Sequence, residues 1–224
     1  MQLRWIILAS ALAGLAAGLL LSAPFARFIP PAEGHGAWYA SRAAGLVAYG
    51  FLWLSLAGGL VMSSAWFDGI VNRARLLALH QSLALAGLAL GLGHALVLIP
   101  DGWTHFGLAD LFVPFASYYQ PADAAMGTLA LYLFAIVSFS FWFRGAIGPA
   151  TWRWVHRASF VAYIAALWHG VRIGTDTGTL PVTLLYILTS SLLLGALAVR
   201  LTYVRPRRQP AARPPSRAAA EPAG

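Results

Sequence analysis

Six apolar runs of about membrane-spanning length divide this chain, and they leave it few other ways to fold. They cover residues 5–23, 43–66, 76–99, 124–143, 154–173 and 180–199. About 20 helical residues at about 1.5 Å of rise each cross a hydrocarbon layer of roughly 30 Å. Inside lipid the backbone must satisfy its own hydrogen bonds, so an apolar run of this length spans as a helix. The expected fold class is therefore an all-α membrane protein, a six-transmembrane-helix bundle over residues 1–200. Charged residues make up 10% of the chain and hydrophobic ones 59%, whereas soluble domains carry about 25% charge. The first run follows a short basic start and ends in small residues, so a signal segment is its alternative reading. Its apolar stretch of about 19 residues exceeds the usual signal core of about 7–15, which favours a retained helix.

Arginine placement orients the bundle. All 15 basic residues are arginine, and they give a formal net charge of +8. They gather at segment ends and in the tail without an aromatic-interleaved basic stripe, which argues against nucleic-acid binding. With the N-terminus inside, Arg4, Arg73, Arg75, Arg144, Arg153, Arg157, Arg200, Arg205, Arg207 and Arg208 all fall on one side. Only Arg27, Arg42 and Arg172 fall on the other. The positive-inside rule then sets both termini in the cytoplasm. Residues 201–224 are rich in Pro, Ala and Arg, bury nothing, and read as a disordered cytoplasmic tail whose arginines can meet the lipid bilayer. Residues 24–42 carry Pro24, Pro30, Pro31 and Gly34 and read as an outer connection. The aromatic stretch within residues 100–123 reads as a short surface or re-entrant helix on the same side. No Gly-rich phosphate loop follows a strand, so nucleotide binding has no motif here. Without cysteine, disulfides and thiolate metal sites are excluded.

Ionisable side chains are costly inside a membrane and need a reason. The third and fifth runs carry two histidines each, His80 with His94 and His156 with His169. These runs are parallel in any ordinary six-span topology. Spacings of 14 and 13 residues separate the members of each helix pair by about 20 Å of rise. His80 and His156 then share one level, and His94 and His169 the other. Two imidazoles holding one haem iron leave no coordination position open, an arrangement suited to electron transfer. The layout therefore predicts two stacked bis-histidine haems. Arg42 and Arg172 are candidates to neutralise propionates at the outer level, and Arg153 and Arg157 at the inner one; interfacial snorkelling is their simpler use. One angle disagrees. At about 100° per residue, 14 residues return within about 40° of the same face, but 13 leave His156 and His169 about 140° apart. Helix tilt, distortion near Gly170, or an irregular first turn at His156 would reconcile them. A four-ligand zinc site does not suit members placed on opposite sides of the membrane. His35 and His105 lie in outer loops as ordinary polar residues, with a weak exterior metal site as the alternative.

The segments LHQSLALAGLALGLGHALVL and WRWVHRASFVAYIAALWHGVRI carry a family resemblance. Over residues 40–200 the chain resembles the ferric-reductase-like transmembrane family, which includes the membrane domains of ferric reductases and NADPH oxidases. It includes as well the haem-bearing membrane subunit of periplasmic methionine sulfoxide reductase systems. The resemblance implies two haem b groups, with His80 and His156 as inner ligands and His94 and His169 as outer ligands. It further implies an aromatic residue between the haems on the fifth span, where Tyr163 or Phe160 is the nearest candidate. It also implies the bacterial inner membrane as location. The oxidases continue into flavin and nicotinamide domains, whereas this chain runs into its Pro-rich tail.

The resulting expectation is transmembrane electron transfer, as the membrane subunit of an oxidoreductase system. A cytoplasmic flavin reductase or a quinol would be the donor, and a periplasmic oxidoreductase, ferric iron or oxygen the acceptor. The alternatives are a haem-free six-helix transporter or membrane assembly factor, and a subunit with one haem only.

Overall fold

The computed structural model describes residues 35–64, 72–100 and 105–202, and all regular structure among them is helical. The helices are α1 (Gly36–Ser63), α2 (Arg73–Leu96), α3 (Leu108–Phe112), α4 (Pro121–Ile147), α5 (Pro149–Ile173) and α6 (Leu180–Thr202). Four of them, α1, α2, α4 and α6, are long and apolar enough to cross a membrane. The chain is thus an all-α, multi-pass membrane protein. Five of the six apolar runs coincide with the long helices. The first run and the tail from residue 203 lie outside the described residues.

Local chemistry sets the ends. Asn72 caps α2, its side chain accepting from the amides of Ala74 at 3.1 Å and Arg75 at 3.2 Å. Pro121 opens α4 and Pro149 opens α5, where a missing N–H costs nothing. Between α4 and α5 stands the single residue Gly148, with φ of 80°, a conformation that glycine adopts without strain. Its amide donates to the Arg144 carbonyl, and its carbonyl accepts from the Trp152 amide. The connection is thus tighter than the 144–153 gap between the apolar runs suggests. Arg144 and Arg153 end the hydrophobic pattern, but the helical hydrogen bonds continue past them. A second difference lies at α1, which begins at Gly36. Ser41 and Arg42 therefore sit on a helix and not in the outer connection.

The bundle consists of two antiparallel hairpins, α1 on α2 and α4 on α5, and α6 lies against α1. Contact between the hairpins is sparse, and α2 and α5 barely touch. A gap therefore runs between these two parallel helices. The outside is apolar, with Ile136, Val161, Ile164, Leu188 and Leu192 exposed, while Ser41, Ser55, Ser140, Ser159, Thr128 and Thr189 are buried. Small and hydroxyl residues allow helices to approach closely in lipid, where apolar side chains can face outward.

A hydroxyl chain joins α1, α5 and α6. Thr189 donates to the Leu185 carbonyl at 2.6 Å and lies 2.7 Å from the Tyr49 hydroxyl, which lies 2.8 Å from that of Tyr163. The ring of Tyr49 stacks near Tyr163 and meets Tyr186 edge-on. Replacing Tyr49 by Phe leaves two buried hydroxyls short of a partner. We expect it to cost about 1 kcal/mol, read as a lower thermal unfolding midpoint in detergent.

The expected outer surface helix is the five-residue α3. Asp110 bonds the Gly107 amide at 2.9 Å, and Thr128 of α4 holds the Leu111 carbonyl at 2.9 Å. Phe115 and Tyr118 beyond it are exposed.

Candidate functional site

The four membrane histidines face one another across the gap between α2 and α5. His80 meets His156 with ring centroids 6.0 Å apart, and His94 meets His169 at 6.1 Å. Levels and partners are those expected from the spacing. Two cavities occupy these levels. The first, about 810 Å³, is lined by His80 and His156; the second, about 230 Å³, by His94 and His169. Leu52 and Phe134 line both and form the partition between them.

Three of the imidazoles are seated in the same way. His94 Nδ1 donates to the Ser41 carbonyl at 2.7 Å, and Ser41 Oγ donates back to the His94 carbonyl at 2.9 Å. One level away, His80 Nδ1 donates to the Ser55 carbonyl at 2.7 Å, and Ser55 Oγ returns to the His80 carbonyl at 3.0 Å. His169 Nδ1 donates to the Asp123 carbonyl at 3.0 Å. A carbonyl only accepts, so each of these Nδ1 atoms carries the proton and each Nε2 keeps its lone pair. Such bonds orient metal-binding histidines and raise their basicity.

A glycine stands four residues after each of those carbonyls. A Cβ at Gly45 would lie 2.9 Å from His94 Nδ1, one at Gly127 2.6 Å from His169 Nδ1, and one at Gly59 3.4 Å from His80 Cε1. The carbonyl holds the ring and the glycine leaves room for it. His156 differs. Its neighbour is Trp152, stacked at 5.0 Å and 20°, and the buried indole nitrogen of Trp152 finds no hydrogen-bond partner among the described residues.

These contacts resolve the angular disagreement. α5 is continuous from Pro149 to Ile173, so His156 lies well inside it and not on an irregular first turn. His169 reaches its level along the flank of α5 that faces Asp123 and Gly127 of α4. His156 reaches across from beneath Trp152. The two rings have different neighbours, Asp123 and Gly127 for one and Trp152 for the other, yet both meet histidines of α2.

The arginines divide by level. Arg153 and Arg157 line the His80–His156 cavity, together with Arg144 and Arg200. Arg42 lines the other cavity, but its guanidinium forks onto Asp176, with Nε at 2.8 Å from Oδ2. Arg172 is 60% exposed and lies 3.4 Å from Asp123 Oδ2. Both arginines at this level are thus already paired with aspartates. Tyr163 is buried in the hydroxyl chain, Phe160 lines the His80–His156 cavity, and the aromatic residue that touches both cavities is Phe134 of α4. His35 immediately precedes α1, and His105 precedes α3 with φ of 52°.

Chemically, each histidine pair can clasp one metal ion from two opposite sides. With metal–imidazole bonds of about 2.0–2.1 Å, and ring centres about 1.2 Å further back, collinear ligands place centroids about 6.4 Å apart. The separations of 6.0 and 6.1 Å match that span. Rings on one axial line are free to turn about it, so interplanar angles of 68° and 82° fit as well. Among the described residues no three His, Asp or Glu side chains gather at one point. Further ligands at either level would therefore have to come with the metal.

No family model matches the chain, and no curated protein or solved structure matches it either.

Proposed function

We propose that this protein carries electrons across the bacterial inner membrane through two bis-histidine b-type haems. The observation that supports it most is the pair of facing imidazoles at two levels, at a separation suited to one metal each, with Nε2 left as the basic atom on three of the four. Among the described residues each level offers two histidines and no third ligand, which suits a metal whose cofactor would supply the remaining ligands. His80 and His156 would hold the inner haem, and His94 and His169 the outer one. Bound there, each haem supplies a one-electron Fe(III)/Fe(II) couple.

The protein's own part is positional. Ser41, Ser55 and Asp123 fix three ligand rings, and Gly45, Gly59 and Gly127 leave space for them. Leu52 and Phe134 line both cavities and stand between the two levels. Arg153 and Arg157, lining the His80–His156 cavity, suit the carboxylates of the inner group. At the outer level Arg42 would serve while keeping its bond to Asp176, since two guanidinium nitrogens already face that carboxylate. Arg172, on the exposed side of Asp123, is better read as that residue's counter-ion.

Arginine asymmetry supports a cytoplasmic placement of the His80–His156 end, with both termini on that side. Electrons would enter there from a flavin reductase or a quinol. They would leave at the far side to a periplasmic oxidoreductase, ferric iron or oxygen. The protein would then be the membrane subunit of an oxidoreductase system of the ferric-reductase-like kind.

A second reading, one haem at the inner level only, draws on the cavity volumes of about 810 against 230 Å³. Haem-to-protein stoichiometry with redox-titrated optical spectra separates the two. Two haems per chain are expected. One haem per chain selects the second reading, and a colourless protein purified from haem-replete membranes sinks both.

A further inference from the structure

Toward the proposed haem, Asp123 has so far been given only its backbone carbonyl; its carboxylate has been no more than the partner of Arg172. It is 13% exposed, although it lies in the first turn of α4. Oδ1 accepts from the indole nitrogen of Trp168 at 2.8 Å, and Oδ2 lies 3.4 Å from Nε of Arg172. Trp168 and Arg172 flank His169 on α5, one residue before it and three after. One residue of α4 therefore grips the segment carrying His169 at three points: the ring through its carbonyl, and both flanks through its carboxylate. None of the other histidine seats has this. Ser41 and Ser55 return a neutral hydroxyl to the backbone of their own histidine, and among the described residues no carbonyl bonds the His156 ring.

We infer that Asp123 is the positioning and tuning residue of the outer site, its carboxylate placing a negative charge beside the His169 ligand and locking the orientation of that imidazole. The inference rests on the proposed haem reading. A carbonyl bond on Nδ1 makes the imidazole more basic, and a nearby carboxylate adds to this. Negative charge beside a metal ligand favours the oxidised, more positive iron, so the outer couple is held at a lower potential than it would otherwise have. Arg172 offsets part of this charge, but it is much the more exposed partner, and solvent screens it more strongly.

The test is a redox titration of purified holoprotein carrying Asp123→Asn, with Asp123→Glu beside it. Asn keeps the carbonyl that holds His169 and removes the charge; Glu keeps the charge. We expect Asp123→Asn to shift one of the two midpoints upward and leave the other in place, with Asp123→Glu returning the shifted one towards the unaltered value. Unmoved midpoints in Asp123→Asn, or equal shifts in both variants, would overturn the inference. Selective loss of one haem in Asp123→Asn supports it when Asp123→Glu keeps two, and overturns it when Asp123→Glu loses the same haem. Should Asp123→Asn fail to accumulate, Trp168→Phe removes one anchor and keeps the charge. A changed low-spin ferric spectrum confined to one haem then supports the inference, and an unchanged one overturns it. If the unaltered protein binds no haem, it is the underlying reading that has failed.

Discussion

On the two-haem proposal, a chain with both His94→Ala and His169→Ala is expected to purify with one haem, against an expected two for the unaltered protein. The complementary pair, His80→Ala with His156→Ala, is expected to leave one haem of different midpoint. The expectation follows from the separation of the sites. Each imidazole pair lines its own cavity, and Leu52 and Phe134 stand between the cavities. The seats are separate as well: Ser41, Gly45, Asp123 and Gly127 belong to one level, and Ser55 and Gly59 to the other. Emptying one level should leave the other folded, because the strongest helix packing lies within the hairpins and not across the gap. Pyridine haemochrome absorbance per mole of protein reads the outcome. Loss of both haems from either double variant, in a protein that still folds, would show the levels to be interdependent.

The second large effect is expected from a single methyl group. Gly127→Ala places a Cβ 2.6 Å from His169 Nδ1, well inside van der Waals contact. The ring has no easy retreat. Its Nδ1 is held to the Asp123 carbonyl on the same helix, and moving away breaks that bond. Overpacking of this kind costs about 1–3 kcal/mol. If the strain falls on the ligand, the outer haem should bind roughly 5–150-fold more weakly. Haem retention during dialysis against an apo-globin acceptor measures this. Gly50→Ala is the control, because nothing lies within 4 Å of a Cβ there, and its retention should equal that of the unaltered protein. Equal retention in Gly127→Ala would mean that the histidine does not need its glycine seat.

Much of the site was legible from spacing. His80 and His94 differ by 14 residues, and the structure sets them opposite His156 and His169 at matching levels. A parallel signal stood unread on the preceding helix. Ser41 and Gly45 recur 14 residues later as Ser55 and Gly59, the same interval as the histidines they seat. An outer connection running through residue 42 hides this repeat, because it leaves Ser41 outside the helix on which it lies. Proline content upstream argues for that boundary, but the helix already begins at Gly36.

Asp123 and Phe134 had no comparable signal. An aspartate near a span end reads as an interfacial charge, and a phenylalanine in an apolar run reads as packing. Arg42 and Arg172 show the converse: both occupy the right level, yet each is held by an aspartate far away in sequence, Asp176 and Asp123. Proximity in sequence to a span end says nothing about which carboxylate arrives from elsewhere.

Amino-acid order alone determined the helices, their parallel or antiparallel sense and the two levels of histidine, because hydrocarbon permits only helices of a minimum length and a fixed rise per residue. Tertiary structure decided which flank of α5 each histidine uses, which carbonyls hold the rings, and which arginines are already paired. Those outcomes depend on side chains from different helices meeting at angstrom distances, and the helical period is too coarse to specify them. The 140° disagreement at His156 and His169 shows the difference: an ideal helix separates the two rings, and α4 on one flank with Trp152 on the other brings both to the same gap.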